Sequence, residues 1–293
     1  MSSTLPSRRL YTVPLAHGHV LHLGPRPLVM GILNVTPDSF AERTPRLDPG
    51  AAAEWALRLV AEGADIVDIG GESTRPGATP VPADEEAARV IPVIKALAGQ
   101  LRAPISIDTY KSSVARLALD AGASLVNDVS GLRYDPALAA VVAEHGAALI
   151  VMHMRGRSRE MYVDAEYGDM VTEVTAELRD SMSVATGAGV SQDRIIVDPG
   201  IGFAKRTADS YRVLARLPNF AASLDRPLLA GPSRKSFMSG ALGHRPPHER
   251  DWGTAAAVTA AVLGGAHIVR VHDVGAMAQV VRVAEEIRHA WIG

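Results

Sequence analysis

Eight short apolar runs recur along the chain, and each is followed by a stretch with the periodicity of a helix. The runs span 27–34, 65–69, 104–108, 124–128, 147–152, 194–198, 228–231 and 266–271. Each is too short for a helix and has the near-continuous apolar character of a strand buried on both faces. The helical stretches are 51–62, 84–101, 112–121, 136–145, 166–185, a segment around 210–216, 250–263 and 274–289. Gly63 and Gly122 stop the first and third, and Pro92 predicts a kink in the second. The units repeat at intervals of roughly 20–45 residues, near the βα period of about 30. Eight such units in 293 residues predict an α/β fold, a closed (β/α)8 TIM barrel. An open doubly wound sheet is the alternative. It would carry a glycine-rich turn after its first strand, whereas here that strand runs into Asn34, Val35, Thr36 and Pro37. Ahead of the barrel, 9–13 and 19–23 alternate partly around His17 and Gly18 and predict a hairpin. The expected organisation is a single domain, 1–293, with a hairpin extension at 1–26 and the barrel at 27–290.

Polar residues gather at one end of these runs. Asn34, Glu72, Asp108, Asn127 with Asp128, His153, Asp198, Ser233 with Lys235, and Arg270 with His272 all sit at or just beyond a strand's C-terminal end. Singly, each would pass for a helix cap or a loop ion pair. In a barrel they share one mouth, the face that holds active sites. Their chemistry falls into two groups. Asp108, Asn127 and Asp198 suit a flat heterocycle that offers adjacent N–H groups, because a carboxylate accepts two parallel hydrogen bonds and an amide both donates and accepts. Thr74, Arg75, Ser233, Lys235, Ser236, Arg270 and His272 suit phosphate or carboxylate. The implied ligand has a polar aromatic head and an anionic tail. The loops 36–48 and 73–82 are long for βα connections, contain proline, and are expected to act as lids.

Composition removes several other classes. A formal net charge of −2 and a pI near 6.6 leave no basic field for nucleic acid or an anionic membrane. There is no cysteine, hence no thiolate metal site and no thiol nucleophile. Every apolar run is far shorter than the ~20 residues of a membrane span. The first residues carry Arg8 and Arg9 without an apolar core, so no secretory signal is read there. The expected setting is the cytoplasm.

Seven motifs, in order, carry a resemblance to a known family. They are GILNVTPDSF at 31–40, GESTRPG at 71–77, SID at 106–108, NDV at 127–129, DPGIGF at 198–203, SRKS at 233–236 and RVHDV at 270–274. Together they resemble the dihydropteroate synthases, pterin-binding barrels that join 4-aminobenzoate to dihydropterin-methyl diphosphate in folate synthesis. The resemblance implies pterin binding by Asp108, Asn127, Met152, Asp198 and Lys235. It implies a diphosphate site of Asn34, Thr74, Arg270 and His272, with Mg²⁺ at Asn34. It places Thr74, Arg75, Pro76, Phe203, Lys235 and Ser236 around the aminobenzoate. It makes Asp108, Asp198, Lys235, Arg270, His272 and Glu42 the catalytic set, and a homodimer through the last helices the expected assembly.

The chain departs from the family pattern in two loops. Residues 41–44 read Ala-Glu-Arg-Thr where Ser-Asp-Gly-Gly is usual, so Glu42 replaces an aspartate on a longer stem. Residues 204–207 read Ala-Lys-Arg-Thr where Gly-Lys-Thr is common. The second loop keeps Ser73 to Gly77 with no insertion that would exclude sulfonamides, so inhibition is expected. Two competing readings are a methyltetrahydrofolate-dependent methyltransferase on the same barrel and a paralogue that binds pterin with little catalysis. The first would not need SRKS or the Thr74–Arg75 loop, both of which are present. The second rests on the altered first loop alone.

Overall fold

The computed structural model describes residues 8–36, 48–75, 77–157, 160–163 and 165–292. Eight parallel strands lie side by side in chain order: β3 (Leu28–Asn34), β4 (Ile66–Gly70), β5 (Ile105–Asp108), β6 (Leu125–Asp128), β7 (Ala148–Met152), β8 (Ile195–Asp198), β9 (Leu229–Ala230) and β10 (Ile268–Val271). β10 pairs with β3 over four residues, and a bridge from Val197 to Leu228 joins β8 to β9, which closes the ring. The barrel expected from the eight apolar runs is therefore the observed fold.

The hairpin is β1 (Tyr11–Pro14) and β2 (Val20–Leu23), antiparallel from Tyr11 opposite Leu23 to Pro14 opposite Val20. It serves as the barrel's floor. Val13, Leu15, Leu21 and Leu23 are buried against the inward side chains of the lower strands, among them Met30, Ile66, Leu125, Ile150, Ile196 and Ile268. The Nε2 of His17 lies 3.1 Å from the carbonyls of Leu119 and Ala123, which ties the hairpin turn to the strand starts.

Side chains alternate in and out along each strand, as the pleat requires. The outward residues, such as Val29, Val67, Val126, Val197 and Val269, form the layer under the helices. Two residues beyond the apolar inward layer lies a second inward layer, and it is polar: Asp68 follows Ile66, Asn127 follows Leu125, Asp198 follows Ile196 and Arg270 follows Ile268. This switch from apolar to polar, two residues further up β4, β6, β8 and β10, makes a cup of the barrel's upper end.

The helices follow the expected order, with shifted ends. α1 (Pro49–Ala61) is capped by Asp48, which accepts the Ala51 N–H at 2.8 Å. α2 (Ala83–Leu97) runs through Pro92 and stops before Gly99, which takes a positive φ of 79°; the expected end at 101 was too late. α3 (Ser112–Ala121) ends at Gly122, and α4 is Leu138–Glu144. α5 (Met170–Gly187) starts at the cap Asp169 rather than at 166. The helix expected around 210–216 is α6 (Thr207–Ala215), and a further helix that was not expected, α7 (Leu217–Leu224), follows it, with Pro218 in its first turn. A short α8 (Ser239–Leu242) precedes α9 (Asp251–Leu263) and α10 (Val274–Ile292). Among the described residues no helix is long and apolar enough to cross a membrane.

Candidate active site

The polar layer is tied together by one buried ion network. Asp68 Oδ2 accepts from Asn127 Nδ2 at 3.0 Å and from Arg270 Nε at 2.6 Å. The other arm of Arg270, Nη2, donates to Asp108 Oδ2 at 2.7 Å. Asp68 is fully buried and Asp108 nearly so. Burial raises the Asp108 pKa well above the carboxylate range; Arg270 opposes that, and Asp68 and Glu86 add to it. One oxygen each of Asp68 and Asp108, and the Ser106 hydroxyl between them, have no protein partner. Unpaired buried acceptors of this kind mark the place where a ligand's donors are expected.

Asp198 and Lys235 are opposite charges that act on each other through space. Asp198 Oδ1 accepts the Gly200 N–H at 2.7 Å, and burial raises its pKa against the pull of Lys235. Lys235 donates to the Ile201 carbonyl and lies 4.2 Å from the centre of the Phe203 ring. Burial brings its pKa down to about 7, with Asp198 opposing. Gly202 must be glycine here: its φ is +79°, and a Cβ would stand 2.9 Å from Lys235 Cδ.

Above this floor is a cavity of about 200 Å³. Of the expected site residues, Asn34, Thr74, Arg75, Asp108, Phe203, Ser233, Lys235, Ser236, Arg270 and His272 line it. Asn127, Met152 and Asp198 are buried, and a side chain at Gly231 on the cavity wall would meet Asp198 Oδ2, its Cβ 3.9 Å away. Met152 packs with Val129, Met154, Met161 and Ala204, against Phe203. Ser233 Oγ sits 2.9 Å from Nδ1 of His272 and accepts that residue's backbone N–H at 3.2 Å. Burial, then Arg234, Arg270, Arg75 and Lys235, hold the imidazole well below its ordinary pKa, so His272 is neutral. Glu42 and Pro76 lie outside the described residues, as does most of the first loop.

Not every polar strand end joins the site. Asp128 accepts the N–H groups of Ser130 and Leu132 and so holds the turn after β6. His153 faces away, toward Glu177 on α5. Glu72 borders the cavity but spends its carboxylate on the loop: it accepts Tyr110 Oη at 2.9 Å and the Val81 N–H at 3.0 Å, and it pairs with Lys111. That fastens both ends of the segment carrying Thr74 and Arg75.

Three further residues belong to the arrangement. Asp68 organises the floor, Arg250 stands on the cavity wall near Arg75, and Lys205 lies buried behind the β8 loop. Asp68 carried a signal, a charge placed two residues after an inward Ile66.

A family model described as pterin binding enzyme matches residues 30–272, from within β3 to just past β10. The chain belongs to the pterin-binding enzymes. Among them it is similar to the dihydropteroate synthase of Synechocystis, with 47% identity over 275 residues, 94% of this chain and 95% of that one. Two solved structures share the pterin-binding barrel. One is the Xanthomonas albilineans dihydropteroate synthase with 4-aminobenzoic acid, with a TM-score of 0.85 and 44% identity over 94% of this chain and 99% of that one. The other is the Burkholderia cenocepacia dihydropteroate synthase complexed with 7,8-dihydropteroate, with a TM-score of 0.85 and 44% identity over 96% and 98%. Among the described residues of this pterin-binding enzyme, no group of three or more His, Asp or Glu side chains is placed to hold a metal ion.

Proposed function

We propose that the chain acts as a dihydropteroate synthase, condensing 4-aminobenzoate with (7,8-dihydropterin-6-yl)methyl diphosphate to give 7,8-dihydropteroate and diphosphate. The observation that carries this reading is the two-zone cup: buried carboxylates and an amide at the bottom, cations and hydroxyls at the rim. Asp108, Asn127, Asp198 and Lys235 take the pterin edges, with Met152 packed behind. The free oxygen of Asp108 is a waiting acceptor for a ring N–H. Thr74, His272 and Arg270 receive the diphosphate. Arg75, Phe203 and Ser236 border the arylamine.

In the reaction the bond from the methylene carbon to the diphosphate oxygen breaks, and the electron pair leaves with the diphosphate. The arylamine nitrogen then bonds to the pterin-stabilised methylene cation and loses a proton. Asp108 and Asp198 favour that cation electrostatically. Neutral His272 donates a hydrogen bond without adding charge. Arg270 is already compensated by Asp68 and Asp108, so its contribution is mainly a fixed direction for its donors. Asn34, on the cavity wall, would hold a Mg²⁺ ion that arrives with the diphosphate. When bound, it would offset charge on the leaving diphosphate.

A second copy of the chain is the proposed partner, and the cytoplasm the proposed compartment. Val283, Ile287 and Trp291 form an exposed stripe at helical spacing on α10, and Trp252 on α9 is 89% exposed. Sedimentation that gives a monomer at micromolar concentration would contradict the dimer.

A diphosphate-release assay with and without 4-aminobenzoate tests the function. Release that depends on the arylamine is expected. Pterin binding without release would identify a non-catalytic paralogue, and methyl transfer would identify the other competing reading.

A further inference from the structure

Lys205 is 1% exposed, among the largest fully buried side chains of the protein. It lies under the loop that follows β8, close enough to Asp198 and Lys235 to feel both charges. Its Nζ is 2.8 Å from His153 Nδ1 and donates to the Phe203 carbonyl at 3.1 Å. His153 Nε2 faces Glu177 Oε2 at 3.2 Å. Arg133 and Arg155 fix that carboxylate at 2.8 and 2.9 Å. Tyr167 closes the cluster by donating to the Ala204 carbonyl at 2.8 Å, with Arg155 stacked 4.1 Å from its ring.

These contacts are consistent with one proton arrangement. An ammonium at Lys205 makes His153 Nδ1 the acceptor, so the ring proton sits on Nε2 and donates to Glu177. Burial keeps that ring neutral, with its pKa lowered to about 4. A buried cation is costly, and an apolar side chain of the same length would fill the space. The loop supplies the reason for a donor. Gly200, Gly202 and Ala204 all take positive φ, at 71°, 79° and 47°. That winding turns the Phe203 carbonyl inward, where water cannot satisfy it.

We propose that Lys205 is a positioning residue for the arylamine: it holds the Phe203 peptide from behind, and the relay through His153 to Glu177 fastens that hold to α5. The Phe203 ring is thereby set against the cavity, where Lys235 meets it from the other side. The inference rests on the arylamine-condensing function argued above.

Lys205→Met and Phe203→Ala, made singly and together, test it. Arylamine-dependent diphosphate release gives KM and kcat, and calorimetric titration with 6-hydroxymethylpterin gives pterin affinity. Lys205→Met is expected to raise the KM for 4-aminobenzoate about tenfold and to leave pterin affinity within about twofold. Added to Phe203→Ala, it should cost little more, since both act through one ring. Equal losses for pterin and arylamine, or full additivity in the double variant, would overturn the proposal. Should Lys205→Met fail to fold, His153→Phe removes both ring nitrogens, cuts the relay at its next link and must show the same split; an unchanged KM there overturns it equally. A wild-type protein that releases no diphosphate defeats the functional assignment itself. Normal wild-type turnover with no split in the variants defeats only this inference.

Discussion

The guanidinium of Arg270 reaches from β10 past β3 and β4 to donate to Asp108 on β5 at 2.7 Å. Asp68, on β4 beneath that span, accepts the other edge of the same guanidinium and the Asn127 amide as well. Three strands' worth of ligand-facing groups are thus aligned by one carboxylate that does not line the cavity.

Asp68→Ala leaves the Arg270 Nε and the Asn127 amide without their acceptor. Breaking one member of a buried network costs about 3 kcal/mol of stability. Pterin affinity should fall by about tenfold or more, because both dependent side chains lose their orientation. Calorimetric titration and urea denaturation measure the two effects. Wild-type pterin affinity in this variant would show that Asp68 plays no part in shaping the floor.

Ala204 takes φ +47°, in the left-handed region where its Cβ is strained. Ala204→Gly should relieve that strain and raise stability, by up to about 1 kcal/mol after the added freedom of the unfolded glycine is counted. Chemical denaturation reports it. A loss of stability would mean that the loop does not hold this conformation.

Stability should also depend on pH through Lys205. Burial lowers its pKa from 10.5 to about 7; Lys235 and Arg155 add to that effect, and Asp198 and Glu177 oppose it. Between those values the unfolded chain holds the proton and the folded chain has lost it. Unfolding therefore takes up a proton, and this group's contribution to stability rises with pH through that window, with a slope of up to about 1.4 kcal/mol per unit. Lys205→Met removes the rise. The stability of the wild type minus that of the variant should increase steadily from pH ~7 to pH ~10; a constant difference would contradict the assignment.

Sulfonamides should inhibit competitively with 4-aminobenzoate. The segment after β4 reads Ser73 to Gly77 without insertion, and Glu72 holds it through Val81, Tyr110 and Lys111. Lineweaver-type kinetics with sulfamethoxazole settle the point; turnover insensitive to the drug at millimolar concentration would refute it.

The eight strands and the hairpin were readable from the chain because each depends on local periodicity, and the barrel followed from eight βα units in a row. Asn34, Asp108, Lys235 and Arg270 were readable as mouth residues because each ends an apolar run. Asp68 escaped notice because it sits inside such a run, where only the barrel's in–out alternation distinguishes it from its neighbours Val67 and Ile69. Lys205 was unreadable for a different reason. A lysine in a polar loop is ordinarily exposed, and only the winding of three left-handed residues folds this one inside. α7 was not read because Pro218 looks like a stop after α6, whereas a proline in the first turn opens a helix. Glu42 and Pro76 fall outside the described residues.

The hairpin that stoppers the lower end of the barrel also sets the traffic. A vessel corked at its base has a single doorway, and guests must leave in the reverse of the sequence in which they came. The pterin berth lies deepest, so its occupant has to arrive first, and an arylamine already seated near Phe203 would bar the way. Preincubation with 4-aminobenzoate alone should therefore slow the first turnover, whereas preincubation with the pterin should not.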